Sequence, residues 1–168
     1  MQFELDGAKV LLVHKNERLE KHGEEEVLAC DLDFKYETSN AVLAEFHPDL
    51  RSQLYKRPES AQGELTDDLE HLTALRVPEL GSDFKFAGSL ERAELVFFKG
   101  KKAHVTFAEA KIHKFSFNLK EGGTVIVGFQ AQVYPDEGQS GKLSGLLQEK
   151  HCLLTLEPAE DSQRPLAS

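Results

Sequence analysis

Six lysines and several phenylalanines share one stretch of this sequence. Lys99, Lys101, Lys102, Lys111, Lys114 and Lys120 lie there against a single acid, Glu109. The local charge is +5 inside a chain of −9. Phe97, Phe98, Phe107, Phe115 and Phe117 are interleaved with the lysines. Lysines beside aromatic rings are what single-stranded nucleic acid requires, because ammonium groups meet phosphates and rings meet bases. Phe97, Phe107, Phe115 and Phe117 occupy alternating apolar positions, so they are expected to point inward. Phe98 is out of phase with Phe97 and is the expected exposed ring.

Other reactive side chains form no recognisable set. The seven histidines are scattered, and the nearest approach to a ligand set is His104 and His113 with Glu109. No HExxH, GxSxG, P-loop, dinucleotide fingerprint or CxxC occurs. Neither a cofactor nor a metal is therefore expected, and the chain reads as a non-enzyme. Asp31 and Asp33 share the polar face of a strand, where solvation accounts for them. Cys30 and Cys152 fall inside apolar alternation and read as buried thiols.

The acids are unevenly placed. Residues 1–80 hold 9 Lys/Arg and 18 Asp/Glu, whereas residues 81–168 hold 11 of each. An acidic first half suits solubility, or a partner with a basic groove. No apolar run approaches the ~20 residues of a membrane helix. Met1 to Asp6 has neither a basic region nor an apolar core, so a secretory signal is not expected. The expectation is a single β-rich domain over residues 1–157 in the cytoplasm, with a flexible tail over 158–168.

Period-two alternation supplies most of the elements. Leu28, Cys30, Leu32, Phe34 and Tyr36 form one half-buried strand, and Val125, Val127, Phe129, Ala131 and Val133 another. Further strands are expected around Val10, over Leu72–Val77, and around Phe84, Leu95, Val105, Phe117 and Leu154. Turns are expected near Gly23, at Gly100 and at Glu121-Gly122-Gly123. Ser39-Asn40 offers a helix cap before Ala41–Phe46. Leu50 and Leu54 fit a further helical turn, as do Leu65 and Leu69. Leu143, Leu146 and Leu147 give a second short helix over 139–150. The fold class is mostly β: an antiparallel β-sandwich or distorted barrel with two short helices. The strand–helix patterns of 27–46 and 125–147 are alike enough to pose a duplicated unit.

The segments Asp31–Asn40, Pro78–Gly81 and Pro135–Leu143 carry a resemblance. They look like uncharacterised proteins encoded by tailed bacteriophages and prophages. That resemblance implies a bacterial host cell and an accessory role in DNA metabolism. Together with the basic stretch it points to single-stranded DNA as partner, with Lys99, Lys101, Lys102, Lys111, Lys114, Lys120 and Phe98 in contact. The alternative is an acidic protein-binding factor that mimics DNA toward a host nucleic-acid enzyme. It would use Glu24, Glu25, Glu26, Asp31, Asp33, Asp67 and Asp68.

Overall fold

The computed structural model describes residues 1–58, 71–81 and 83–159. Two 18-residue strands organise it: β1 (Leu5–His22) and β7 (Lys102–Leu119). Between them come β2 (Glu25–Ser39), a 3-10 turn (Asn40–Val42), and helices α1 (Leu43–Phe46) and α2 (Leu50–Leu54). The short pair β3 (Tyr55–Lys56) and β4 (Ala74–Leu75) follows, then β5 (Asp83–Phe86) and β6 (Leu90–Lys99). The chain continues through β8 (Thr124–Val133), α3 (Glu137–Glu149) and β9 (His151–Pro158).

The pairings close a ring. β1 pairs with β2, β2 with β8, β8 with β7, β7 with β6, β6 with β9, and β9 with β1, all antiparallel. The result is a six-stranded antiparallel barrel, with β5 added along the second half of β7. Closure works because each long strand changes neighbour midway, which gives the stagger a barrel needs. β1 pairs first with β9 and then with β2. β7 pairs first with β6 and then with β8. Each long strand is also bulged near its change of partner, β1 between Leu12 and His14 and β7 between His113 and Ser116.

Inward side chains fill the barrel. Phe129 stacks on Phe34 with ring centroids 5.0 Å apart, and Phe3 meets Phe46, Phe115 and Phe129. Val10, Leu32, Leu95, Val127 and Leu154 are buried as their alternation requires, while Leu28 is half-exposed. Phe97, Phe107, Phe115 and Phe117 all point inward. α1 covers one end through Leu43 and Phe46, and α3 covers the other through Leu143 and Leu146.

Several local expectations need correction. The helical turn expected at Leu50 and Leu54 forms as α2, so three α-helices occur among the described residues where the fold class named two. Ser39 caps nothing; Asn40 is buried instead, and its amide donates to the Leu72 carbonyl. The strand expected over Leu72–Val77 shrinks to Ala74–Leu75, since among the described residues its partner is the two-residue β3 alone. The stretches 103–107 and 111–119 are one strand, its period broken by bulges rather than by a turn. The helical turn expected at Leu65 and Leu69 lies outside the described residues. So does most of the expected tail: β9 runs to Pro158, and Ala159 donates its amide to the Arg92 carbonyl.

The two strand–helix units with matching patterns lie side by side. β2 and β8 are antiparallel neighbours, with Phe34 opposite Phe129. Their following helices therefore cover opposite ends of the barrel.

Candidate nucleic-acid interface

Strand geometry separates the six lysines. An extended path from Lys102 to Lys120 covers roughly 60 Å at the usual rise per residue. Lys101 and Lys102 sit at the β6–β7 hairpin, where Gly100 adopts φ 64° to close the turn. Lys120 lies in the β7–β8 turn at the far end, where its carbonyl accepts from the Tyr55 hydroxyl at 2.8 Å. Lys111 is held between acids, 3.9 Å from Glu91 and lining one hollow with Glu91 and Glu109. Lys99 and Lys114 remain free on the outer wall, and Phe98 is half-buried beside Lys99.

Register supplies the companions that the sequence did not reveal. On the outer wall His151 stands opposite Leu11, Leu11 opposite Lys35, Lys35 opposite Gly128, Gly128 opposite Ser116, and Ser116 opposite Lys85. This single row crosses six strands. A second row, from Phe98 through Leu153 to Lys9, flanks it. Neighbouring strands are about 4.8 Å apart, so the two rows make a belt of closely spaced positions. Lys9, Lys35, Lys85, Lys99 and Lys114 are all exposed on it. None of the five makes an ion pair or a hydrogen bond among the described residues.

The belt is grooved and partly apolar. A hollow of about 410 Å³ lies between Lys9, Leu11, Lys35, Glu37, Ile126 and His151. An adjoining hollow of about 210 Å³ shares Lys9 and His151 and is walled by Phe98, Lys99, Glu149 and Leu153. A third, of about 180 Å³, shares Lys35 and reaches Lys114 and Ser116. Glu37 and Glu149 are the acids of the first two hollows, so cations predominate. Leu153 is 40% exposed and Val13 46%, so both leave aliphatic surface on the belt. The missed lysines had a signal: Lys9 and Lys35 each stand at the polar phase of an alternating strand. Their proximity to Lys99 and Lys114 depends on cross-strand register, which alternation does not encode.

The described acids are dispersed by comparison. Glu24, Glu25 and Glu26 occupy the β1–β2 turn and the start of β2. Asp31 accepts from Arg18 at 3.0 Å. Arg18 also meets Glu20, which accepts from the Tyr134 hydroxyl at 3.1 Å. Asp33 lies within the third hollow of the belt. Asp67 and Asp68 lie outside the described residues.

At the α3 end, Lys15 is an enclosed cation, its side chain 9% exposed. Its ammonium donates to Ser144 Oγ at 2.8 Å and lies 2.6 Å from Glu17. That contact holds the Glu17 carboxyl below its ordinary value. The same ammonium also reaches the carbonyl and hydroxyl of Ser140, each at 3.3 Å, so it ties β1 to α3. Among the described residues no three His, Cys, Asp or Glu converge as metal ligands. No described helix is long and apolar enough to cross a membrane. The chain matches no family model, and neither a curated protein nor a solved structure is significantly similar to it.

Proposed function

We propose that this chain is a non-enzymatic binding protein whose lysine belt holds single-stranded nucleic acid. The role is that of an accessory factor in DNA metabolism, of the kind implied by the resemblance to phage and prophage proteins. The observation that carries the reading is a set of exposed lysines without ion pairs among the described residues: register puts Lys35 and Lys85 in one row with Lys9 beside it, and Lys99 and Lys114 line the adjoining hollows. Free ammonium groups meet phosphates without first breaking internal ion pairs. Leu11, Ile126, Leu153 and the exposed part of Phe98 give bases an apolar surface between them. The belt follows the barrel wall around most of its circumference, a convex path that a flexible single strand can follow and a stiff duplex cannot. Of the described acids of the alternative, Asp31 is engaged by Arg18, Asp33 lies within the lysine belt, and Glu24, Glu25 and Glu26 sit at a hairpin end, which favours the belt reading.

Fluorescence anisotropy with a labelled single-stranded oligonucleotide at low salt tests the proposal. Wild type is expected to bind, and the double variant Lys35→Glu, Lys114→Glu to bind at least about tenfold more weakly with an unchanged melting temperature. Absence of any wild-type binding at low salt would overturn it.

A further inference from the structure

The bulges of two strands meet a glycine of a third at one point of the belt. The bulge in β1 turns Val13 outward. The bulge in β7 sets Lys114 at φ 54°, a left-handed conformation that a lysine adopts only against steric resistance. Between them β8 places Gly128, where a Cβ would stand 2.5 Å from Ser116 Oγ. Bulges re-aim side chains and concentrate beside functional sites. Here they raise two walls around Gly128, over which Ser116 Oγ stands, and the hollow measures about 180 Å³. One edge of it is a carboxylate. Asp33 Oδ1 accepts from Gln130 Nε2 at 2.9 Å, and Oδ2 faces the exposed ring of His14 at 3.5 Å. The side chain of Asp33 remains 41% exposed.

A carboxylate among lysines repels phosphate, so its use in a nucleic-acid belt is to accept a hydrogen bond from an N–H. Resting on the belt reading above, we infer that this hollow takes one pyrimidine of the bound strand and that Asp33 accepts from its exocyclic amine. Cytosine presents an amino group at that edge; uracil presents a carbonyl oxygen, which brings lone pairs against lone pairs. Val13 supplies an apolar wall for the ring, and Lys35 and Lys114 stand where the flanking phosphates pass. The site therefore prefers cytosine to uracil at one position of an otherwise tolerant groove.

Competition between oligo(dC) and oligo(dU) of equal length separates this inference from the one beneath it. Wild type is expected to favour oligo(dC) by roughly three- to tenfold. Asp33→Asn is expected to bring that ratio close to one while keeping or raising total affinity, since a negative charge is removed. Ser116→Ala, which leaves the carboxylate in place, is expected to keep the ratio. Equal wild-type binding of the two oligomers overturns the base pocket and leaves the belt standing. Failure of both to bind overturns belt and pocket together. Free dCMP competing as well as oligo(dC) at equal nucleotide concentration overturns the assignment to a polymer.

Discussion

Burial makes the two thiols and one phenol poor acids, and this has a consequence that pH can expose. Removal from water pushes Cys30 and Cys152 up to about 11 and Tyr55 up to about 12. Both thiols lie on inward positions of the barrel wall, and the Tyr55 hydroxyl is bonded to the Lys120 carbonyl. A group whose folded-state value is raised gives stability that is complete below its unfolded value and is lost as pH climbs through the folded one. The unfolded thiols ionise near pH 9, so the unfolding free energy is expected to fall between about pH 9 and 11, and Tyr55 extends the decline toward pH 12. A two-unit elevation corresponds to a little under 3 kcal/mol per group as an upper bound. Urea titrations across this range check the slope; a flat profile from pH 8 to 11 would contradict the assigned burial. In the same frame, a maleimide at pH 8 is expected to label native protein slowly and both cysteines rapidly in denaturant.

Helix α3 shows an element whose sequence and surroundings disagree. Gly141 and Gly145 lie in its interior, and a Cβ at either would meet nothing within 4 Å. Neither packing nor a left-handed backbone accounts for them. Gly141→Ala and Gly145→Ala are therefore expected to stabilise the fold by about 0.5–1 kcal/mol each, through helix propensity alone, read as a rise in melting temperature. What holds the helix is its start: Asp136 accepts from the Gln139 amide at 2.8 Å while the Gln139 side chain accepts from Asp136, a reciprocal cap. That cap was legible as Asp-x-x-Gln before an apolar run, and reading it places the helix start at Glu137 instead of Gln139. Strand legibility varied for a physical reason. β8 alternates without interruption from Val125 to Val133 and could be read residue by residue. β7 slips phase at its bulges, so its two halves looked like separate strands. The inward phenylalanines could be assigned from phase. The belt could not, since Lys9, Lys35 and Lys85 come from three other strands, and only the closed register sets them beside Lys114.

At the scale of the whole molecule, barrel closure turns a chain of net charge −9 into one with a cationic stripe. Several described acids of residues 1–80 are engaged or set apart, Glu17 by Lys15, Asp31 by Arg18, and Glu24, Glu25 and Glu26 at the hairpin end, while Asp33 and Glu37 stay in the hollows of the belt. The arrangement of β1 and β7 bears on where the stripe forms. These equally long, similarly bulged strands flank β2 and β8, and the bulges bring Val13 and Lys114 to the same hollow. A strand lying along the belt would displace counterions in proportion to the lysines it meets. With five free lysines, the logarithm of the binding constant is expected to fall with the logarithm of salt concentration at a slope of about −3.5, taking about 0.7 per phosphate for a single strand. Each lysine removed should reduce the slope by about 0.7, whereas Lys111→Ala should leave it nearly unchanged because Glu91 and Glu109 already offset that charge. Titrations from low to moderate salt on wild type, Lys35→Ala and Lys111→Ala measure all three slopes. A wild-type slope near zero, or an equal loss for Lys35→Ala and Lys111→Ala, would show that the belt is not where phosphates bind.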